Sequence, residues 1–178
     1  MKRVFIMNER SFERVLDPIE SFIVGTIGPP GEREFFLQVK FHGGIHSFAI
    51  EKGQVSALAD RIAVLVGELK AANFKFENQT PTNFEVPLIP EFQVGTISII
   101  WLAESEQVLI ELEEIPQVDE DTTKGAQLFK LFMSADIAQN FISQSRKVVA
   151  AGRLPCPFCG LPINSNGHLC PRANGYRR

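Results

Sequence analysis

All three cysteines of the chain fall within fifteen positions, at Cys156, Cys159 and Cys170, and His168 lies among them. Two thiols separated by two residues, followed across a polar turn by an imidazole and a third thiol, match the soft donors that tetrahedral zinc takes. Gly160 follows the second thiol, where the chain must reverse just behind a metal-directed side chain; glycine can adopt the positive φ that such a reversal needs. Asn164, Ser165, Asn166 and Gly167 then supply turn residues that return the chain to the ion. The spacing predicts zinc held by Cys156, Cys159, His168 and Cys170. Three thiolates and an imidazole leave no open coordination position, which predicts a structural ion rather than one that activates water. A segment of about twenty residues with no hydrophobic core of its own takes most of its order from the metal.

Two competing readings of the same residues are weaker. A thiol-disulfide pair at Cys156 and Cys159 belongs at the start of a helix in a βαβ setting, whereas this pair follows Leu154-Pro155 in a polar tail. Buried cysteines without a ligand fit poorly with so polar a stretch. Elsewhere, His42-Gly43-Gly44-Ile45-His46 resembles a metal pair only superficially, because a hairpin turn does not place two rings on one helix face. Gly28-Pro29-Pro30-Gly31 reads as a rigid turn and not as a phosphate loop, since no Lys-Ser/Thr follows and no helix begins there. No Ser/His/Asp set, glycosidase carboxylate pair or nucleotide fingerprint stands out. Glu111 and Glu113 read as one solvated strand face.

The elements that must carry this tail show an internal repeat. Phe22-Ile-Val-Gly-Thr-Ile27 recurs as Phe92-Gln-Val-Gly-Thr-Ile97. A second strand follows in each copy, over 34–41 and 107–115, with Phe35, Leu37, Val39 and Phe41 on one face and Val108, Ile110 and Leu112 on another. Third strands are expected at about 45–51 and 126–133. Each copy closes with a helix whose apolar residues recur three and four apart: Val55, Leu58, Ile62, Leu65, Val66 and Leu69 in the first, and Ile137, Ala138, Phe141, Ile142, Val148 and Val149 in the second. Ser134 is the expected N-cap of the second helix, with Asp136 in its first turn. The predicted fold is α+β: a tandem β-β-β-α duplication packed as one pseudo-symmetric domain, with a short C-terminal zinc-knuckle tail. The body spans 1–152, with copies at about 22–72 and 92–151 and a connector at 73–91; the tail spans 153–178. Gly25 and Gly95 occupy the same repeat position inside strands, which predicts a bulge or a close backbone approach at both, or a ligand groove between the copies with Thr26 and Thr96.

The chain has 178 residues, 44% apolar, enough for one substantial core. Fifteen Phe against one Trp and one Tyr predict a core of Phe and aliphatic side chains. No apolar run long enough for a membrane span or a secretory signal is present in the sequence, and three thiols committed to metal predict a reducing cytoplasm. Charge is uneven. From residue 137 onward there are six cations, Arg146, Lys147, Arg153, Arg172, Arg177 and Arg178, and no carboxylate, which leaves −9 on the remainder of a chain whose net charge is −3. Eight carboxylates and no cation lie between Glu104 and Asp121.

The ending GRLPCPFCG (152–160), GHLCPR (167–172) and NGYRR (174–178), together with VGTIGPPGEREFFLQ (24–38), resembles the bacterial domain-of-unknown-function family 3090, found mainly in actinobacteria. The resemblance runs the whole chain. Asp17-Pro18 and Phe22 match the family pattern, whereas Ser21 stands where Arg is usual and 117–124 shortens an acidic insertion of the second half. The family implies the full-length domain and its tail without implying an activity.

The expected function is a non-enzymatic, zinc-containing protein-interaction module with a protein partner. RNA or other nucleic-acid binding through Arg153, Arg172, Tyr176, Arg177 and Arg178 is the alternative, and an enzyme with a groove between the two copies is a further one. Six scattered cations on an acidic chain make a thin footprint for a polyanion, so the tail is expected to dock on its own acidic body or to stand solvated.

Overall fold

The computed structural model describes residues 12–116, 125–163 and 167–172. Asn164, Ser165 and Asn166 of the expected turn, the tail residues Tyr176, Arg177 and Arg178, and the acidic Asp119, Glu120 and Asp121 lie outside the described residues. In chain order the elements are β1 (Phe12–Leu16), β2 (Ser21–Ile27), β3 (Glu34–Phe41), β4 (Gly44–Ile50), α1 (Lys52–Ala71), β5 (Val94–Leu102), β6 (Gln107–Glu114), β7 (Gln127–Ser134) and α2 (Ala135–Ala150). Two sheets and two helices make a mixed α+β fold. One sheet has the order β2-β3-β4, and the other the order β1-β7-β6-β5.

The expected strands and helices are present, with β1 as an addition. β1 pairs in parallel with β7, from Phe12 opposite Gln127 to Leu16 opposite Leu131. A five-residue strand whose first four positions are exposed carries no alternation, so only its partner defines it. β5 starts later than the repeat predicts and runs longer, through Ile99, Ile100 and Trp101.

β3 is buried on both faces. Phe35, Leu37 and Val39 point into the core as their alternation requires, but Phe36 and Gln38 are buried as well. The second face is covered by the irregular connector before β5. Gln38 accepts from the Glu85 N–H at 2.8 Å and donates to the Glu85 carbonyl at 3.0 Å, so one side-chain amide treats the connector as a strand. Gly25 pairs with Phe36 on that same face, and the Phe84 ring occupies the space a Cβ at Gly25 would take. Gly95 takes the other predicted form. The β5–β6 register shifts between Val94 and Thr96, and a Cβ at Gly95 would lie 3.1–3.2 Å from Ile115.

The core sits where the sheets meet. Phe48 of β4, Phe129 of β7 and Phe92 form a triangle with ring centroids 4.9–5.8 Å apart. Phe22 of β2 meets Phe141 of α2 at 4.6 Å. Helix α1 buries Val55, Leu58, Ala59, Ile62, Val66 and Leu69, as its periodicity dictates. In α2, Ala138 and Phe141 are buried while Ile137, Ile142, Val148 and Val149 are half-buried against the same core. Ser134 caps α2 by accepting from the Ile137 N–H at 3.3 Å. Asp136 accepts from the Glu77 N–H at 2.6 Å, so this first-turn carboxylate also pins the connector.

Side-chain amides join the elements at two further points. Gln144 of α2 receives the Val24 N–H at 3.0 Å and donates to the Val24 carbonyl, pairing with the outer edge of β2. Gln54 caps the Glu51 N–H at the start of α1 and reaches the carbonyls of Val94 and Gly95 at the bulge. Across the acidic strand face, Lys130 lies 3.0 Å from Glu13 and 3.8 Å from Glu111, so tertiary pairing supplies a cation that the local sequence lacks.

Candidate metal centre

Leu154 to Ile163 fold back on themselves beyond α2. The Ile163 N–H donates to the Leu154 carbonyl and the Cys156 N–H to the Leu161 carbonyl, a short two-sided knuckle. The Gly160 N–H closes the turn on the Cys156 carbonyl at 2.8 Å, and Gly160 adopts φ 76°, the positive value expected there. Gly167, at φ 87°, returns the chain toward the same point. The knuckle thereby sets Cys156 and Cys159 facing His168 and Cys170.

The four ligand atoms all lie within 4.8 Å of one another. Cys156 and Cys170 sulfurs are 3.7 Å apart, and the Cys159 sulfur is 3.2 Å from His168 Nε2. A tetrahedral ion with sulfur bonds of about 2.3 Å separates two thiolates by about 3.8 Å, so the sulfur pair fits one shared ion. Cys156 and Cys170 are buried; Cys159 and His168 are half-buried. The donor set, three sulfurs and one nitrogen, suits a soft or borderline metal ion and does not suit calcium or magnesium.

The two knuckle thiols are not equivalent. Burial raises the Cys156 thiol, but N–H groups of Cys159 and Phe158 and hydrogen bonds from the Cys159 and Cys170 thiols outweigh it, leaving the group below its ordinary value. Burial also raises Cys159, and the neighbouring Cys170 and Cys156 add to that rise against one N–H from Leu161. Backbone donors around Cys156 favour its thiolate, the form that binds metal.

Residues 14–170 match the model of a family described as a protein of unknown function, DUF3090. The chain belongs to the DUF3090 family. The match includes all four members of the Cys/His cluster of this DUF3090 chain and closes on Cys170, the last of them. Neither a curated protein nor a solved structure matches it.

Of the basic tail residues singled out in this DUF3090 chain, two are described. Arg172 donates to the Phe158 carbonyl at 3.0 Å, tying the last described turn to the knuckle tip. Arg153 lies against Gly31, its Cδ 3.1 Å from where a Cβ there would stand. At the two glycines of the expected groove, Phe84 packs over Gly25 and Ile115 lies against Gly95. His42 sits at positive φ in the β3–β4 hairpin, and His46 pairs instead with Glu91 at 2.7 Å. Among the described residues no helix is long and apolar enough to cross a membrane.

Sequence reasoning missed one property of the knuckle. Leu154, Phe158, Leu161 and Leu169 are all exposed, Phe158 at 64% and Leu169 at 86%. Each stands within two positions of a cluster residue, so all four are carried by the segment that holds the cluster. The signal was present in the composition of the knuckle, because a loop this short has no interior in which to bury a Phe and three Leu.

Proposed function

We propose that the Cys/His cluster holds a structural zinc ion and that the apolar surface around it docks a protein partner. Cys156, Cys159, His168 and Cys170 would hold the ion, which supplies cross-linking of the knuckle and no reaction, since four protein donors leave no place for a substrate. The observation that carries this reading is that four exposed apolar side chains, Leu154, Phe158, Leu161 and Leu169, lie on the segment whose four ligand atoms converge. Exposed apolar side chains on a cross-linked loop make a preorganised contact surface: the metal bears the ordering cost before a partner arrives. The two β-β-β-α runs, with their FIVGTI and FQVGTI openings, are read as diverged copies of one unit that share the central core, with the tail from 153 as an appendage. Three thiolates kept available to metal suit a reducing cytoplasm.

The test combines metal analysis with capture of a partner. Purified protein should carry one zinc per chain, and Cys156→Ser should lose it. Phe158→Asp with Leu169→Asp should keep the zinc and lose the partner captured by the parent protein. If capture persists in that variant, the docking surface lies elsewhere. Binding to single-stranded RNA that weakens steeply with salt and disappears when Arg172, Arg177 and Arg178 are neutralised would favour the nucleic-acid reading instead.

A further inference from the structure

A cavity of about 710 Å³ opens at one end of the β2-β3-β4 sheet, and none of the four Cys/His cluster residues lines it. It lies where β2 ends at Ile27, β3 begins, and β4 passes into α1. Phe35, Phe36 and Ile50 are its buried inner wall, and Leu88 and Pro90 of the connector close one side. Its volume falls within the range of about 300–1,000 Å³ in which small-molecule sites occur.

Cations reach this cavity from three separate segments. Arg33 comes from the β2–β3 loop, Lys52 from the first position of α1, and Arg153 from the chain leaving α2. Glu34 and Glu51 also line it, leaving a positive excess in a chain whose net charge is −3. Glu51 is already engaged in a reciprocal capping box with Gln54. Among the described residues neither Arg33 nor Lys52 forms an ion pair. Lys52 stands at the first position of α1, next to the Glu51 carboxylate that caps the helix, and its side chain has no carboxylate partner among the described residues. Two uncommitted cations, a third beside them and an aromatic inner wall define complementarity to one kind of molecule.

We propose that this cavity binds a small organic phosphate monoester, its phosphate between Arg33, Lys52 and Arg153 and its apolar or aromatic body against Phe35, Phe36 and Ile50. The phosphate would meet the guanidinium forks of Arg33 and Arg153 and the Lys52 ammonium together, donors suited to recognise it. Gly152 and Arg153 belong to the cavity lining and lead directly into the knuckle, so a bound ligand would touch the junction between body and tail.

Phenyl phosphate is a suitable probe, titrated calorimetrically into the full zinc-loaded chain at low ionic strength, with inorganic phosphate and benzyl alcohol as comparisons. Saturable binding of phenyl phosphate is expected, at least tenfold tighter than inorganic phosphate, with benzyl alcohol giving no saturable signal. Arg33→Gln and Lys52→Gln should each weaken phenyl phosphate at least tenfold while leaving zinc content and melting temperature as in the parent. Both side chains are outside the core, so these variants remain folded tests. Absence of saturable binding, or an affinity unchanged in both variants, overturns the proposal. Equal affinity for phenyl phosphate and inorganic phosphate overturns the assignment of the apolar wall to the ligand's body.

Discussion

The ring of Phe84 lies against Gly25 of β2, filling the volume that any side chain at that position would need. This contact fastens an irregular connector across the face of the β2-β3-β4 sheet, next to the two hydrogen bonds that Gln38 makes to Glu85. It also explains why an edge strand of a buried sheet tolerates a glycine at its centre. A strand residue there would hold the connector away and expose Phe36 and Gln38.

Gly25→Ala should therefore destabilise the protein by about 1–3 kcal/mol, the usual cost of forcing an extra methyl into a packed site. Urea denaturation measures it. Phe84→Ala should cost less in the Gly25→Ala background than in the parent, because the first change has already displaced the ring. Equal costs in both backgrounds would show that the two residues do not interact.

Gln144 offers a second test, at the outer edge of β2. Gln144→Leu removes both partners of the Val24 backbone and should cost about 1–3 kcal/mol, the penalty of leaving buried amide groups unpaired. Gln144→Glu keeps a side chain of similar size but has no donor for the Val24 carbonyl, and its charge is set against a second oxygen. It should be no better than Leu. Amide exchange at Val24 is the local readout, since its N–H donates to Gln144 rather than to another strand.

Metal removal should separate the tail from the body. Chelation, or Cys156→Ser, is expected to leave the denaturation midpoint of the body unchanged while 154–172 becomes rapidly cleaved by protease, because the knuckle has four cluster residues and few other buried groups. A Cys156→Ser protein that retains one full equivalent of zinc would falsify the ligand assignment.

At the start of α2, Ser134→Ala should cost about 1 kcal/mol by orphaning the Ile137 N–H, whereas Ser134→Asp should restore most of it. Thermal melting of the two variants distinguishes a capping role from a packing role, because aspartate replaces the acceptor but not the shape of serine.

Much of the molecule could be read before folding because the signals were local. The four cluster residues lie within fifteen positions, so a turn and a knuckle suffice to bring them together, and Gly160 shows the positive φ that its place behind Cys159 requires. The apolar period of 55–69 produces a helix with that face buried, and Ser134 caps α2 where its type and position indicate. The paired glycines of the repeat were readable as sites of backbone irregularity, but not as one close approach and one bulge, because the difference is made by Phe84 and Ile115, which lie outside both motifs.

The chain by itself determined what depends on neighbours in sequence: the donor set, the alternation of β3 and β6, the two amphipathic helices and the glycine turn behind Cys159. Tertiary structure decided everything that depends on residues distant in sequence. The parallel partner of β1 is more than a hundred positions away, and the Gln144 amide reaches an edge 120 positions earlier. Arg33, Lys52 and Arg153 look like ordinary surface cations until three chain segments converge on one cavity. Local propensity is set by a residue and its near neighbours, while an edge, a cavity and a charge cluster exist only once loop closure has brought remote segments together.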